Sequence, residues 1–250
     1  MNSKKHQLFF LLSILIGLIA ACQPSYTYVY KTDQSATGVP LTLHPDETAD
    51  ALIAPYKLVL DSQMSAVIGE ASMDLPRDLD TTESRLGNFC ADLMLEQISK
   101  KTKVDLAAVT LGGLRVPIGK GPISVGLVFE LMPFENELVI VEVKGVAVKE
   151  IFERILGKKN ISLANAVPTF RRGQFVSAKI GGEDFDENKT YRVVVSDYLA
   201  SGGDYMGYLV GYPIENTGIK LRDAIIDHIK EQTAQKKKIV ATRGDRVIFE

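Results

Sequence analysis

The 250-residue chain has no tryptophan, two cysteines and three histidines. Each scarcity closes a class of chemistry. Histidine is the commonest ligand at protein metal centres and the commonest general base. Of the three, His6 belongs to an N-terminal leader, His44 stands beside Pro45, and His228 lies in an amphipathic stretch where a helix-face or capping role accounts for it. No H-x-H or H-E-x-x-H spacing occurs, so no metal ligand set is read from the sequence. A Ser-His-Asp triad would have to recruit His44 or His228, and a G-x-S-x-G elbow is missing. The glycine-rich "VTLGGLRVPIGKGP" matches neither a dinucleotide fingerprint nor a P-loop. With Cys22 at the end of the leader, Cys90 has no partner and a disulfide is excluded. Cys90 shares one helical face with Leu86, Phe89, Leu93, Met94 and Ile98, which makes it a small core residue. Charge excludes another class. The formal net charge is −2, and removal of the leader takes away Lys4 and Lys5, so no nucleic-acid partner is expected.

The leader itself is legible. Lys4, Lys5 and His6 precede "LFFLLSILIGLIAA", too short and too sharply followed by small residues for a convincing membrane span. Cys22 directly after two alanines resembles a bacterial lipobox. Residues 1–21 are therefore expected to be a lipoprotein signal peptide, Cys22 the lipid anchor, and the membrane a partner on the periplasmic or extracellular side of the cell envelope. Residues 22–45 are polar and aperiodic and read as a tether, leaving residues 46–250 as one folded domain.

Within that domain helical and strand patterns alternate. Helices are expected from Asp46 onward with a break or kink at Pro55, at 84–99, over "AVKEIFERIL", and over "IKLRDAIIDHIKEQTAQ". Strands are expected over "VIGEASMDL", "VDLAAVTL", "ELVIVEVKG", "QFVSAKIGG", "TYRVVVS" and the terminal "RVIFE". "GPISVGLVFELMP" reads as a turn and short helix, and "EDFDENK" as a turn. Without strict βαβ regularity, the expected fold is a mixed α/β (α+β) arrangement of mixed sheets covered by helices.

One strand end carries an unusual set of residues. "SDYLASGGDY" places Tyr198, Gly202, Gly203 and Asp204 directly after "TYRVVV". A plain turn explains the glycines and the aspartate. A ligand site explains them too, with Tyr198 as a flat face, Asp204 as an acceptor and the glycines giving clearance. Arg115 is suited to pair a carboxylate or phosphate, Gly112 and Gly113 to bring backbone amides near a ligand, and Phe134 in "MPFEN" to stack. Each also has a plain alternative: Arg115 on the surface, Phe134 in the core.

Taken in order, "ESRLGNFCADLM", "LGGLR", "GPISVGLVFELMPFENELVIVEVKG" and "KTYRVVVSDYLASGGDY" resemble the C-terminal domain of the 5′-nucleotidase family, which includes UDP-sugar hydrolases and cyclic phosphodiesterases. The resemblance spans roughly residues 46–250. It implies a substrate-binding domain whose two aromatic rings, here Phe134 and Tyr198, clamp a base. Asp204 would engage ribose hydroxyls and Arg115 a phosphate. Thr110 stands where the family usually has asparagine, and "LDTT" before Glu83 lacks an arginine found in some members, for which Arg85 is a substitute by position. In that family a separate metallophosphatase domain holds the divalent metals. Residues 22–45 leave no room for one, so no cofactor is expected in this chain. The expected ligand is a nucleoside or nucleotide, and the expected partner a separately encoded metallophosphatase. The alternatives are a nucleoside-binding lipoprotein without catalysis and a degenerate scaffold.

Overall fold

The central strands are buried on both faces, and the period-2 rule sorts their side chains into two cores. The computed structural model describes residues 46–79, 81–157, 161–244 and 246–250. The leader, Cys22 and the tether thus lie outside the described residues, and residues 48–250 form one unit. In chain order the elements begin with α1 (Glu47–Ser65), β1 (Val67–Ala71), α2 (Arg85–Ser99), β2 (Leu106–Thr110), β3 (Gly121–Ser124) and α3 (Val125–Leu131). There follow β4 (Glu137–Lys144), α4 (Gly145–Glu153), β5 (Ile161–Ala164), β6 (Ala166–Arg171), β7 (Gln174–Ile180) and β8 (Glu183–Asp184). The last are β9 (Thr190–Ser196), α5 (Asp197–Ala200), β10 (Ile214–Lys220), α6 (Leu221–Ala234) and β11 (Ile248–Phe249).

The central sheet has strand order β10-β4-β9-β2-β5, with β2 and β9 parallel and the other pairs antiparallel. Ala107 and Val109 of β2, Leu138 and Ile140 of β4, and Val194 of β9 face one core, which they share with α2, α3 and α6. Their neighbours Leu106, Ala108, Val139, Val141, Val193 and Val195 face the other, shared with α4 and the sheet of order β11-β6-β7-β8. Burial on both faces is why these segments read as continuous apolar runs and not as alternating ones. The mixed-sheet expectation therefore holds, as do the helical faces. Leu86, Phe89, Cys90, Leu93, Met94 and Ile98 are all buried on α2. Burial pushes the Cys90 thiol far up, which keeps it an inert core residue.

Some segments differ from the sequence pattern. α1 runs through Pro55 instead of ending there. Every residue of α1 except Met64 is exposed, so the carbonyl that Pro55 leaves unpaired faces water. "GPIS" is a strand, not a turn. β3 pairs antiparallel with β1 in a two-stranded sheet, and a strand with a free edge tolerates Pro122. β5, β6 and β10 fall in segments given no strand assignment from sequence, and Glu183–Asp184 within the expected turn forms β8. Among the described residues no helix is long and apolar enough to cross a membrane.

Candidate ligand-binding site

The site forms where three strand ends meet. β2 and β9 are parallel neighbours, so their C-terminal ends lie side by side. β4 is antiparallel to β9, with Leu138 opposite Ser196, so the segment entering β4 arrives at the same edge. Loops at the carboxyl ends of parallel strands are where open α/β sheets commonly take ligands. Here the three loops enclose a cavity of about 700 Å³ lined by Gly112, Gly113, Arg115, Phe134, Glu135, Asn136, Tyr198 and Asp204. That is within the size range of small-molecule sites.

The loop after β2 is pinned from below. Leu111 and Leu114 are buried, and the Leu111 carbonyl accepts from Arg77 Nε and Nη2, both at 3.2 Å. This leaves Gly112 exposed and Gly113 partly so at the cavity wall. Arg115 is exposed, and its Nη1 donates to the Gly112 carbonyl at 3.2 Å. Arg115 therefore lies at the surface and in the cavity wall at once.

The segment before β4 carries the first ring. Phe134 is 44% exposed, so the core alternative for it fails. Its loop is held by Arg222 of α6, a buried guanidinium lying 4.2 Å from the centroid of the Phe129 ring. Arg222 Nη1 donates to the Met132 carbonyl at 3.3 Å and to the Phe134 carbonyl at 3.5 Å, while Nη2 pairs with Glu135. Lys220 pairs with the other Glu135 oxygen. Hydrogen bonds from Lys220 and then Arg222 hold the Glu135 carboxyl down at about 2, so it is anionic in the cavity wall but already neutralised.

The segment after β9 carries the second ring. Ser196 caps α5 through its side chain, which accepts from Leu199 N, and Tyr198 emerges 51% exposed. A Cβ at Gly203 would lie 2.5 Å from the Tyr198 ring, so the ring rests flat on that glycine. The Tyr198 hydroxyl accepts from the Asp204 backbone N–H at 3.3 Å. Gly202 has φ +91 and Asp204 φ +49, a tight left-handed turn. Gly202 and Gly203 do not line the cavity. Their clearance serves the turn and the Tyr198 ring, a physical role different from ligand approach. Thr110 also stands behind the wall. Its hydroxyl donates to Asp204 Oδ2 at 2.5 Å, and a Cβ at Gly112 would stand 3.0 Å from the same oxygen. Arg85, the substitute by position for a missing arginine, is exposed at the start of α2 and lies off the cavity lining.

Sequence reasoning assigned no role to Asn136, Glu135, Arg77 or Asp197. Asn136 Nδ2 donates to Asp197 Oδ1 at 2.8 Å, and the same oxygen accepts from the Tyr198 N–H at 2.7 Å. One carboxylate oxygen thus links the Phe134 loop to the Tyr198 turn. The only available signal was adjacency, since Asn136 follows Phe134 by two positions in "MPFEN" and Asp197 precedes Tyr198. The donor set of the cavity contains no histidine, one doubly neutralised carboxylate and one carboxylate bonded to Thr110. It does not fit a hydrolytic metal centre.

A crevice at these strand ends, lined by two exposed rings, is the candidate site of this mixed α/β fold. The profile described as "5'-nucleotidase, C-terminal domain" matches residues 67–210, and the chain belongs to that family. It is 27% identical over 203 residues to Protein UshA of Escherichia coli, covering 78% of this chain and 36% of that one. It is 28% identical over 199 residues to Endonuclease YhcR of Bacillus subtilis, covering 75% of this chain and 16% of that protein. Among solved structures, the 5′-nucleotidase precursor of Thermus thermophilus aligns with a TM-score of 0.69 at 28% identity, over 82% of this chain and 43% of that one. The chain therefore spans less than half the length of these relatives.

Proposed function

We propose that the domain is the nucleotide-recognition part of a 5′-nucleotidase-type hydrolase, acting in nucleotide catabolism with a separately encoded metallophosphatase. The observation that carries this reading is a cavity lined by two half-exposed rings, Phe134 and Tyr198, with Asp204 and Arg115 in its wall. A planar base between the rings would cover apolar surface that is otherwise wet, and each base–aromatic stack contributes about 1–3 kcal/mol. Asp204, with Oδ2 engaged by Thr110, would offer its remaining acceptor capacity to ribose hydroxyls. Arg115 would face the phosphate. Lipidation at Cys22 would hold the domain at the cell envelope, where its substrates are extracytoplasmic.

The test is to mix the purified full chain with adenosine, AMP and a UDP-sugar and follow both heat of binding and phosphate release. Binding without hydrolysis, with or without added divalent metal, supports the reading. Intrinsic turnover overturns the division of labour, and absence of binding to all three favours a scaffold that has lost its ligand. Binding with no metallophosphatase recovered as a partner favours nucleoside capture.

A further inference from the structure

Away from the cavity, three side chains from two helices converge. Glu96 lies on α2, and His228 and Glu231 lie one turn apart on α6. One donor atom from each falls within 4.8 Å of the other two. His228 is 8% exposed, its ring set edge-on to Phe89 at 5.7 Å. Its Nδ1 is sealed from solvent, makes no hydrogen bond, and lies 3.4 Å from Glu96 Oε2. Two ligands of a tetrahedral Zn²⁺ at about 2.1 Å stand about 3.4 Å apart, so this pair already has the spacing of a shared metal. Both carboxylates are nearly half exposed, which gives them freedom to close on an ion and gives the ion a path in.

We propose that Glu96, His228 and Glu231 form a binding site for a late first-row divalent cation such as Zn²⁺, cross-linking α2 to α6. One nitrogen and two carboxylate oxygens suit that class, with water completing the shell. Lys100 Nζ, 2.5 Å from Glu231 Oε2, supplies a positive charge to that carboxylate, and Gln97 Nε2 donates to the same oxygen at 2.9 Å. A bound ion would displace Lys100 from that oxygen. The neighbouring Asp92 is committed to Arg246 and contributes no ligand. None of the three ligands lines the cavity described above.

The experiment titrates Zn²⁺ into chelator-treated full chain, reading Tm and bound equivalents, with Co²⁺ absorption as the spectroscopic probe. The expected result is one equivalent bound, a rise in Tm, and Co²⁺ visible bands. All three are lost in His228→Ala and in Glu96→Gln, and Lys100→Met binds Zn²⁺ more tightly because a competing charge is gone. Glu96 is exposed, so its variant remains informative even should His228→Ala fail to fold. No Zn²⁺-dependent rise in Tm, or a rise that survives Glu96→Gln, overturns the proposal.

Discussion

Asn136 Nδ2 and Asp197 Oδ1 stand 2.8 Å apart, joining two segments separated by 61 positions in the chain. Because Asp197 also accepts from the Tyr198 N–H, one hydrogen-bonded carboxylate ties the segment of one ring to the turn of the other. Asp197→Ala should therefore weaken nucleotide binding although Asp197 does not line the cavity. A double-mutant cycle with Asn136→Ala should give a coupling of about 0.5–3 kcal/mol in calorimetric affinities. Strictly additive losses would show that the two residues act separately.

Thr110 reaches the site through Asp204. Thr110→Val keeps the shape and removes the donor to a carboxylate, and such a bond contributes about 1.5–3 kcal/mol. Riboside binding should weaken by an amount of that order, free-base binding should change less, and Thr110→Ser should restore most of the loss. The discriminating measurement is the adenosine-to-adenine affinity ratio across the three proteins.

Glu135 sets an acid limit on the Phe134 loop. Lys220 and Arg222 lower its carboxyl to about 2 from an ordinary value of 4.5. A depressed carboxylate contributes stability that is fully present above the unfolded value and is lost as pH falls through the folded one. Wild-type chain should thus exceed Glu135→Gln in stability above pH 4.5, with the difference shrinking toward pH 2. Denaturant midpoints compared at steps across that range check it. A difference independent of pH would assign the effect to packing instead of charge.

Glu83, the first residue of the "ESRLGN" motif, acts on structure. It is buried, and its carboxylate accepts from the backbone N–H groups of Gly244, Arg246 and Val247 and from Asn88 Nδ2. It fastens the C-terminal segment onto the start of α2. Glu83→Ala would take the acceptor from three part-buried backbone donors, at a cost of up to about 1–3 kcal/mol for each. The denaturant midpoint should fall clearly, and limited proteolysis should cut first near residue 243. An unchanged midpoint would mean that water replaces the carboxylate at no cost.

The legible parts of the sequence were those whose cause is local. "VDLAAVTL" and "TYRVVV" read as strands because burial on both faces demands unbroken apolar runs, and α2 read as a helix because one stripe of it faces a core. β10 was invisible for the opposite reason. "IENTGIK" is largely exposed and its register shifts between Asn216 and Ile219, so neither pattern survives. β3 was obscured by Gly121 and Pro122, whose turn preference is overridden by pairing with β1. At the site, Phe134, Tyr198, Asp204 and Arg115 stood out as residue types suited to a ligand, and the motif resemblance joined them into one site. Asn136, Asp197 and Arg222 act through partners 61 to 90 positions away, which no spacing rule encodes. The same holds for Glu96 and His228, brought together only by the packing of α2 on α6.

The central claim is that one flat heterocycle lies between Phe134 and Tyr198. Its most direct test is calorimetric titration of AMP into the full chain and into Phe134→Ala and Tyr198→Ala. Both rings are exposed, so truncation should leave Tm nearly unchanged. Each variant should lose about 1–3 kcal/mol of binding free energy. Wild-type affinity retained in both would contradict the account.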